Sequence, residues 1–238
     1  MSAVSDPRSR GEAEAIAAGI ATVRKRITAA CERAGRDPAT VTLIAVSKTM
    51  PVEAVAAAAR AGIVDFGENR VQEGVQKARE LRTAGITPTW HLIGHLQTNK
   101  VRAAMGAFAI LQTVDSERLL GAIAGVASNA AAGAPVRVML EVNVSGEASK
   151  FGVAPSGLAG LLACARSLPG ISVEGLMTVA PASSEPDEVR GVFRGLRELA
   201  AEHGLPALSM GMSNDYELAI EEGSTHVRVG RAIFGERP

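Results

Sequence analysis

The chain has 238 residues, of which 47% are hydrophobic and 21% charged, and its 25 basic side chains are balanced by 25 acidic ones. That length supports one large core, and zero net charge leaves no electrostatic footprint for nucleic acid or for an anionic membrane surface. No uncharged apolar run reaches the roughly 18 residues a bilayer demands, and the N-terminal stretch MSAVSDPRSRGEAEAI holds no apolar signal core, so a cytoplasmic protein with no membrane partner is expected.

Short β-branched runs alternate with longer Ala- and Leu-rich stretches at helical spacing, the pattern of βα units around a parallel sheet. In chain order the pattern predicts a flexible lead over 1–10 and a helix over 11–35. Strands follow over 42–46, 63–66, 90–93, 108–112, 136–142, 173–177, 207–210 and 226–229. Helices are expected between them over 52–61, 69–83, 98–105, 116–131, 155–167, 186–203 and 214–221. Asp115, Ser116 and Glu117 form a capping cluster, Pro155 and Pro186 suit first turns, and Gly62, Gly133 and Gly204 sit just past helix ends. Cys31 and Cys164 fall in helical stretches and read as reduced, buried thiols of a cytoplasmic protein, not as a disulfide framework.

Eight strands are the number that closes a barrel. No linker or shift in composition divides residues 1–238, so the expected architecture is a single (β/α)8 TIM barrel domain with an extra N-terminal helix. The competing open, doubly wound sheet lacks its usual phosphate fingerprints here, because no strand is followed by G-x-G-x-x-G and no G-x-x-x-x-G-K-[ST] occurs.

In a barrel the C-terminal strand ends converge on one mouth, which turns scattered polar residues into one candidate site. Lys48 ends the first apolar run, VTLIAVSKT, and an amine placed there can be desolvated into a nucleophile toward an aldehyde, although many strand-end lysines are simply solvated. Ser213 is positioned to cap a helix over 214–221, and Gly211 and Gly230 permit close backbone approach, so this corner suits a phosphate. The same residues also serve as an ordinary cap and turn. His91 and His95 are four apart, but HLIGH lacks the glutamate of H-E-x-x-H and contains a glycine, so no metal site is expected. Glu68, Glu141 and Glu147 read singly as solvated or loop-structuring carboxylates.

Read together, LIAVSKTMP, DFGENRVQEGVQK, WHLIGHLQTNK, EVNVSGEASKFG, GLMTVAP, LSMGMSNDYELAI and STHVRVGRAIFG resemble the pyridoxal phosphate homeostasis proteins, whose fold matches the N-terminal barrel of alanine racemase. The resemblance runs along nearly the whole chain. It implies that Lys48 forms a Schiff base with pyridoxal 5′-phosphate (PLP), that Ser213, Gly230 and the backbone at Arg231 cradle the phosphate, and that Arg228 faces the pyridine nitrogen. Asn69, Met177 and Met212 fall where the family lines the cofactor, and Glu147 and Lys150 lie in a loop motif of the family. Arg231 departs from the small Ser or Thr expected at its position, so an arginine charge replaces a hydroxyl. The implied role is a monomeric, non-catalytic carrier that buffers PLP or delivers it to apo PLP-dependent enzymes, the alternative being an amino-acid racemase of narrow range. A guanidinium beside the pyridine nitrogen disfavours the pyridinium, and the chain has one tyrosine, Tyr216, expected at the surface and not as a second base.

Overall fold

The computed structural model describes residues 7–129, 134–181 and 185–235. Helix α1 (Pro7–Arg33) precedes β1 (Thr42–Val46), α2 (Val52–Arg60), β2 (Asp65–Glu68), α3 (Val71–Thr83), β3 (Thr89–Leu92), α4 (Val101–Met105) and β4 (Ile110–Val114). The second half runs α5 (Glu117–Ser128), β5 (Val136–Glu141), α6 (Leu158–Ser167), β6 (Ile171–Met177), α7 (Pro186–Glu202), β7 (Ala207–Met212), α8 (Tyr216–Glu221), β8 (His226–Val229) and α9 (Arg231–Phe234). Each strand pairs in parallel with the next, and β8 returns to β1, so the sheet is a closed (β/α)8 barrel. Residues 7–10, expected in a flexible lead, belong to α1, and Gly133 lies outside the described residues.

Register decides which face each strand residue shows. Ile44 stands opposite Arg228 and Asp65, Gly67 opposite His91, Met139 opposite Gly175, and Met177 opposite both Glu141 and Ser209. Gly67 marks this set as the inward one, since a Cβ there would touch Ile44 and Ile93 side chains. The barrel interior is therefore rich in polar groups, with Ile110, Met139 and Met177 forming a small apolar cluster of their own. The larger core lies outside the barrel, between the alternate strand residues, such as Phe66, Leu92 and Val229, and the surrounding helices.

This division explains where the strand boundaries move. The apolar run 63–66 was expected as β2, but Ile63 anchors the helix layer, Val64 is 63% exposed, and the strand itself is the polar-alternating Asp65–Glu68. Similarly, β4 starts at Ile110 and not at 108, because Phe108 is committed to α3: a Cβ on Gly74 would sit 2.3 Å from its ring. Pro186 opens α7 as expected, and Gly62 and Gly204 take positive φ past helix ends. Ser116 is the N-cap of α5, although its side chain makes no capping bond.

Helix α1 packs on α2, α8 and α9 in the outer layer. A Cβ on Gly19 would lie 2.8 Å from the carbonyl oxygen of Ala232, so the helices cross almost backbone to backbone. Arg33 of α1 bonds Glu217 and Glu221 of α8, while Arg190, Arg194 and Arg197 of α7 engage Glu221 or Glu222 from the other side. Tyr216, expected at the surface, is buried beneath this seam with Arg26 over its ring, 5.5 Å from the centroid. Among the described residues no helix is long and apolar enough to cross a membrane.

The β6–β7 step is tight at Gly175, where a Cβ would meet the Ala207 carbonyl oxygen at 1.9 Å. Gly175→Ala is expected to cost about 1–3 kcal/mol by forcing these strands apart. Denaturant unfolding followed by circular dichroism measures this, and an unchanged midpoint would contradict the assignment.

Candidate functional site

Lys48 follows β1 by two residues, and its backbone is held on both sides. The Lys77 ammonium of α3 donates to the Ser47 carbonyl at 2.7 Å, to Glu68 Oε1 at 2.8 Å and to Glu73 Oε1 at 2.7 Å. Ser47 Oγ donates to the same Glu68 oxygen at 2.7 Å, and the Thr49 amide donates to Glu73 Oε1 at 2.6 Å. Thr49 has φ of 67°, the left-handed region that costs a β-branched residue about 1–2 kcal/mol. The Glu73 bond holds that conformation. Glu68 is fully buried, correcting its reading as a solvated carboxylate, and burial pushes its carboxyl above the usual range against the pull of Lys77 and Ser47.

The neighbouring strand end supplies a cradle. Ala45 stands opposite Val229, and a Cβ on Gly230 would lie 3.2 Å from the Val46 carbonyl oxygen, so the chain at Gly230 passes directly beside the segment that carries Lys48. The Gly230 amide donates to Ser213 Oγ at 3.3 Å. Ser213 is therefore not the cap of a helix over 214–221. Helix α8 begins at Tyr216 with Asp215 as its N-cap, and the Asp215 carboxylate accepts from the Met212 amide, turning the chain one step earlier. Arg231 opens α9, whose first amides have no acceptor within the helix, and its guanidinium bonds Asn214 Oδ1 at 3.0 Å across the same corner.

Arg228 lies one layer deeper, opposite Ile44 and Met212. It is buried, with Nη1 donating to Ser209 Oγ at 2.7 Å and Nη2 to the Thr178 carbonyl at 2.8 Å, just beyond β6. Burial lowers its pKa to about 10, against the pull of Glu141 and Asp215, so it stays charged at neutral pH. Glu141 closes β5 opposite Met177; it too is buried, not solvated, and its Oε2 has no partner. Burial and the nearby Asp115 raise its carboxyl to about 7, Arg228 opposing. Asn69, after β2, has a buried Oδ1 without a partner and packs its backbone against Gly94.

Beyond β5, Asn143 organises the 143–150 loop by donating to the Glu147 carbonyl at 2.9 Å and accepting from the Gly146 amide at 3.0 Å. Glu147 does structure this loop: its carboxylate holds Lys150 at 2.6 Å, and Lys150 also reaches the Val179 carbonyl at 3.4 Å. The two histidines separate, with His91 buried in the barrel and His95 stacked on exposed Phe151 at 4.2 Å. Among the described residues no three His, Cys, Asp or Glu side chains gather as metal ligands.

The profile of the family described as "Alanine racemase, N-terminal domain" matches residues 20–238. A "Pyridoxal phosphate homeostasis protein" of Pseudomonas aeruginosa is 45% identical over 93% of this chain and 96% of its own length, and one from Aquifex aeolicus is 43% identical over 92% and 96%. The chain belongs to the pyridoxal phosphate homeostasis protein family. Among solved structures, PipY of Synechococcus elongatus with PLP bound matches with a TM-score of 0.80 and 36% identity, over 92% of this chain and all of that one. Alanine racemase of Corynebacterium glutamicum shares the barrel with a TM-score of 0.69 and 21% identity, covering 94% of this chain and 62% of that one.

For this member of the homeostasis family, the sequence motifs left several site-shaping residues unnamed. Lys77, Glu73, Gln112, Ser209 and Thr178 hold the groups that motif reading names. One signal was available for Gln112, a polar residue in the fully buried strand ILQTV. Lys77 could be suspected from its place four residues after Glu73 on α3, but its burial is a tertiary fact.

Glu141 yields a pH prediction. Its folded carboxyl titrates near 7 against an ordinary value of 4.5, so its contribution to stability is full below 4.5 and is lost as the pH rises through 7. The loss is on the order of 3 kcal/mol at most. Glu141→Gln is expected to match the parent at pH 4 and to exceed it at pH 8; an equal difference at both would contradict the assignment.

Proposed function

We infer that this chain binds PLP at the barrel mouth, tethers it to Lys48, and acts in PLP homeostasis by holding the cofactor and releasing it to recipients such as apo PLP-dependent enzymes. The observation that carries this reading is the adjacency of the Lys48 segment to the Gly230–Ser213 corner. An amine and an anion cradle there occupy neighbouring strand ends.

The residues present fit the group. A phosphate can take the first amides of α9 and the Ser213 hydroxyl, with the Arg231 charge close by. The partnerless acceptors of Asn69 and Glu141 are buried polar atoms that a ligand with donors or bridging water would satisfy. Bound PLP supplies an aldehyde that condenses reversibly with an amine. The protein's part is to present Lys48 from a backbone fixed at Ser47 and Thr49, to hold the phosphate, and to place the Arg228 guanidinium toward the ring.

Two features favour holding over turnover. Arg228 is charged at neutral pH and can donate to a bare ring nitrogen but cannot accept from a protonated one, which leaves the ring a weak electron sink. Tyr216 lies under Arg26 in the α1–α8 seam and so cannot act as a proton-transferring base at the mouth.

The reading is tested by incubating the protein with PLP, reducing with borohydride and mapping the adduct by peptide mass spectrometry. The adduct is expected on Lys48 and is expected to vanish in Lys48→Ala with the circular dichroism spectrum intact. An adduct that survives in Lys48→Ala, on Lys150 for example, would contradict the tether. Chiral analysis with single L-amino acids is expected to show no racemisation beyond that of free PLP, and sustained turnover would contradict the carrier role.

A further inference from the structure

The barrel interior holds a line of hydrogen bonds that runs from the mouth to the opposite end. Arg228 Nη1 donates to Ser209 Oγ at 2.7 Å, and Ser209 Oγ donates to Gln112 Oε1 at 2.7 Å. Gln112 Nε2 stands 2.9 Å from His91 Nδ1, and His91 Nε2 stands 2.9 Å from Asp65 Oδ1. Arg228, Ser209, Gln112 and His91 are buried, whereas Asp65 opens β2 at the far end of the barrel and is partly exposed.

Chemistry sets the direction of this relay. A guanidinium only donates and a carboxylate only accepts. Ser209 receives from Arg228 and so passes its own proton to the Gln112 oxygen. The amide nitrogen then donates to His91 Nδ1, which must be bare, and the imidazole proton sits on Nε2 facing Asp65. With the amide turned over, Ser209 would receive two donors and have no acceptor for its own proton among the described contacts, and His91 would carry both protons. The adjacent His226, 6.4 Å away between ring centroids, stays neutral because burial pushes its pKa down to about 4. Its Nδ1 is engaged by Thr225 Oγ1 at 2.8 Å.

We propose that His91 and Gln112 are positioning residues for Arg228, acting through Ser209 to hold the guanidinium in one orientation at the mouth. The proposal rests on Arg228 facing the bound ligand, as inferred above. Neither residue needs to touch that ligand. Each bond in the relay polarises the next in the same sense, so the carboxylate at Asp65 strengthens the grip on an arginine two strands away. The Thr178 carbonyl fixes the second Nη.

The test compares the parent with Gln112→Met, which keeps length and approximate volume while removing both of its hydrogen bonds. Nitrogen NMR on the ligand-free parent is expected to show neutral His91 with its proton on Nε2, and resolved Arg228 Nη signals that merge through freed rotation in the variant. PLP binding, followed by absorbance, is expected to weaken about tenfold in the variant, with the pH profile of the bound chromophore shifted. A proton on Nδ1 of His91 in the parent, or parental Arg228 signals in a folded Gln112→Met, would overturn the relay. Parental affinity and pH profile alongside altered Arg228 signals would overturn its bearing on the ligand. If the parent binds no PLP, the inferred function fails and the NMR comparison alone still decides the relay. Ser209→Ala, which deletes one oxygen beside Arg228, provides the same Arg228 comparison should Gln112→Met not fold.

Discussion

The buried ammonium of Lys77 is the interaction on which the mouth of this barrel depends. It joins two carboxylates and a backbone carbonyl within 2.8 Å, tying the end of β1 to the end of β2 and to the first turns of α3. Burying such a group costs several kcal/mol unless every donor is met, and here all three donors have acceptors. The return is positional. Ser47 and Thr49 are gripped on either side of Lys48, and Thr49 is kept in a conformation that a β-branched residue adopts only under constraint. The candidate nucleophile thus stands on a backbone fixed before any ligand arrives.

The same logic organises the rest of the interior. Parallel barrels usually fill their centre with branched aliphatic layers, whereas this one threads Arg228, Ser209, Gln112 and His91 through it and confines the inner apolar cluster to Ile110, Met139 and Met177. Stability comes from the outer layer, where the other face of each strand meets the helices. Freed from the burden of packing, the interior can carry charge and direction. A polar interior is tolerable only if its groups are paired, and the partnerless atoms Asn69 Oδ1 and Glu141 Oε2 belong to residues at the C-terminal strand ends.

Much of this was legible in the sequence. The alternation of β-branched and Ala/Leu-rich segments predicts eight strands, and β1 and β8 fall at 42–46 and 226–229 as read. The Gly230–Ser213 corner does lie beside the end of β1, two residues before Lys48. What failed has a common cause, which is that periodicity reports burial without saying against what. Ile63 and Phe108 are apolar for the sake of the helix layer, so the strands beside them start later than expected. The sequence reads Glu68 and Glu141 as solvated or loop-structuring and Tyr216 as a surface helix residue, but their burial depends on Lys77, on the strand end at Met177 and on α1 lying across α8, partners distant in sequence. Ser213 looked like a helix cap because its helix was read two residues too long.

A crystal structure of the protein grown with PLP tests the central claim most directly, because it examines tether, cradle and ring partner at once. Continuous density from Lys48 Nζ to the ligand is predicted, with the phosphate against Ser213 and Gly230, the ring nitrogen toward Arg228, and residues 47–49 unmoved. Density joined to another lysine, or a phosphate away from the β7–β8 corner, would contradict the account.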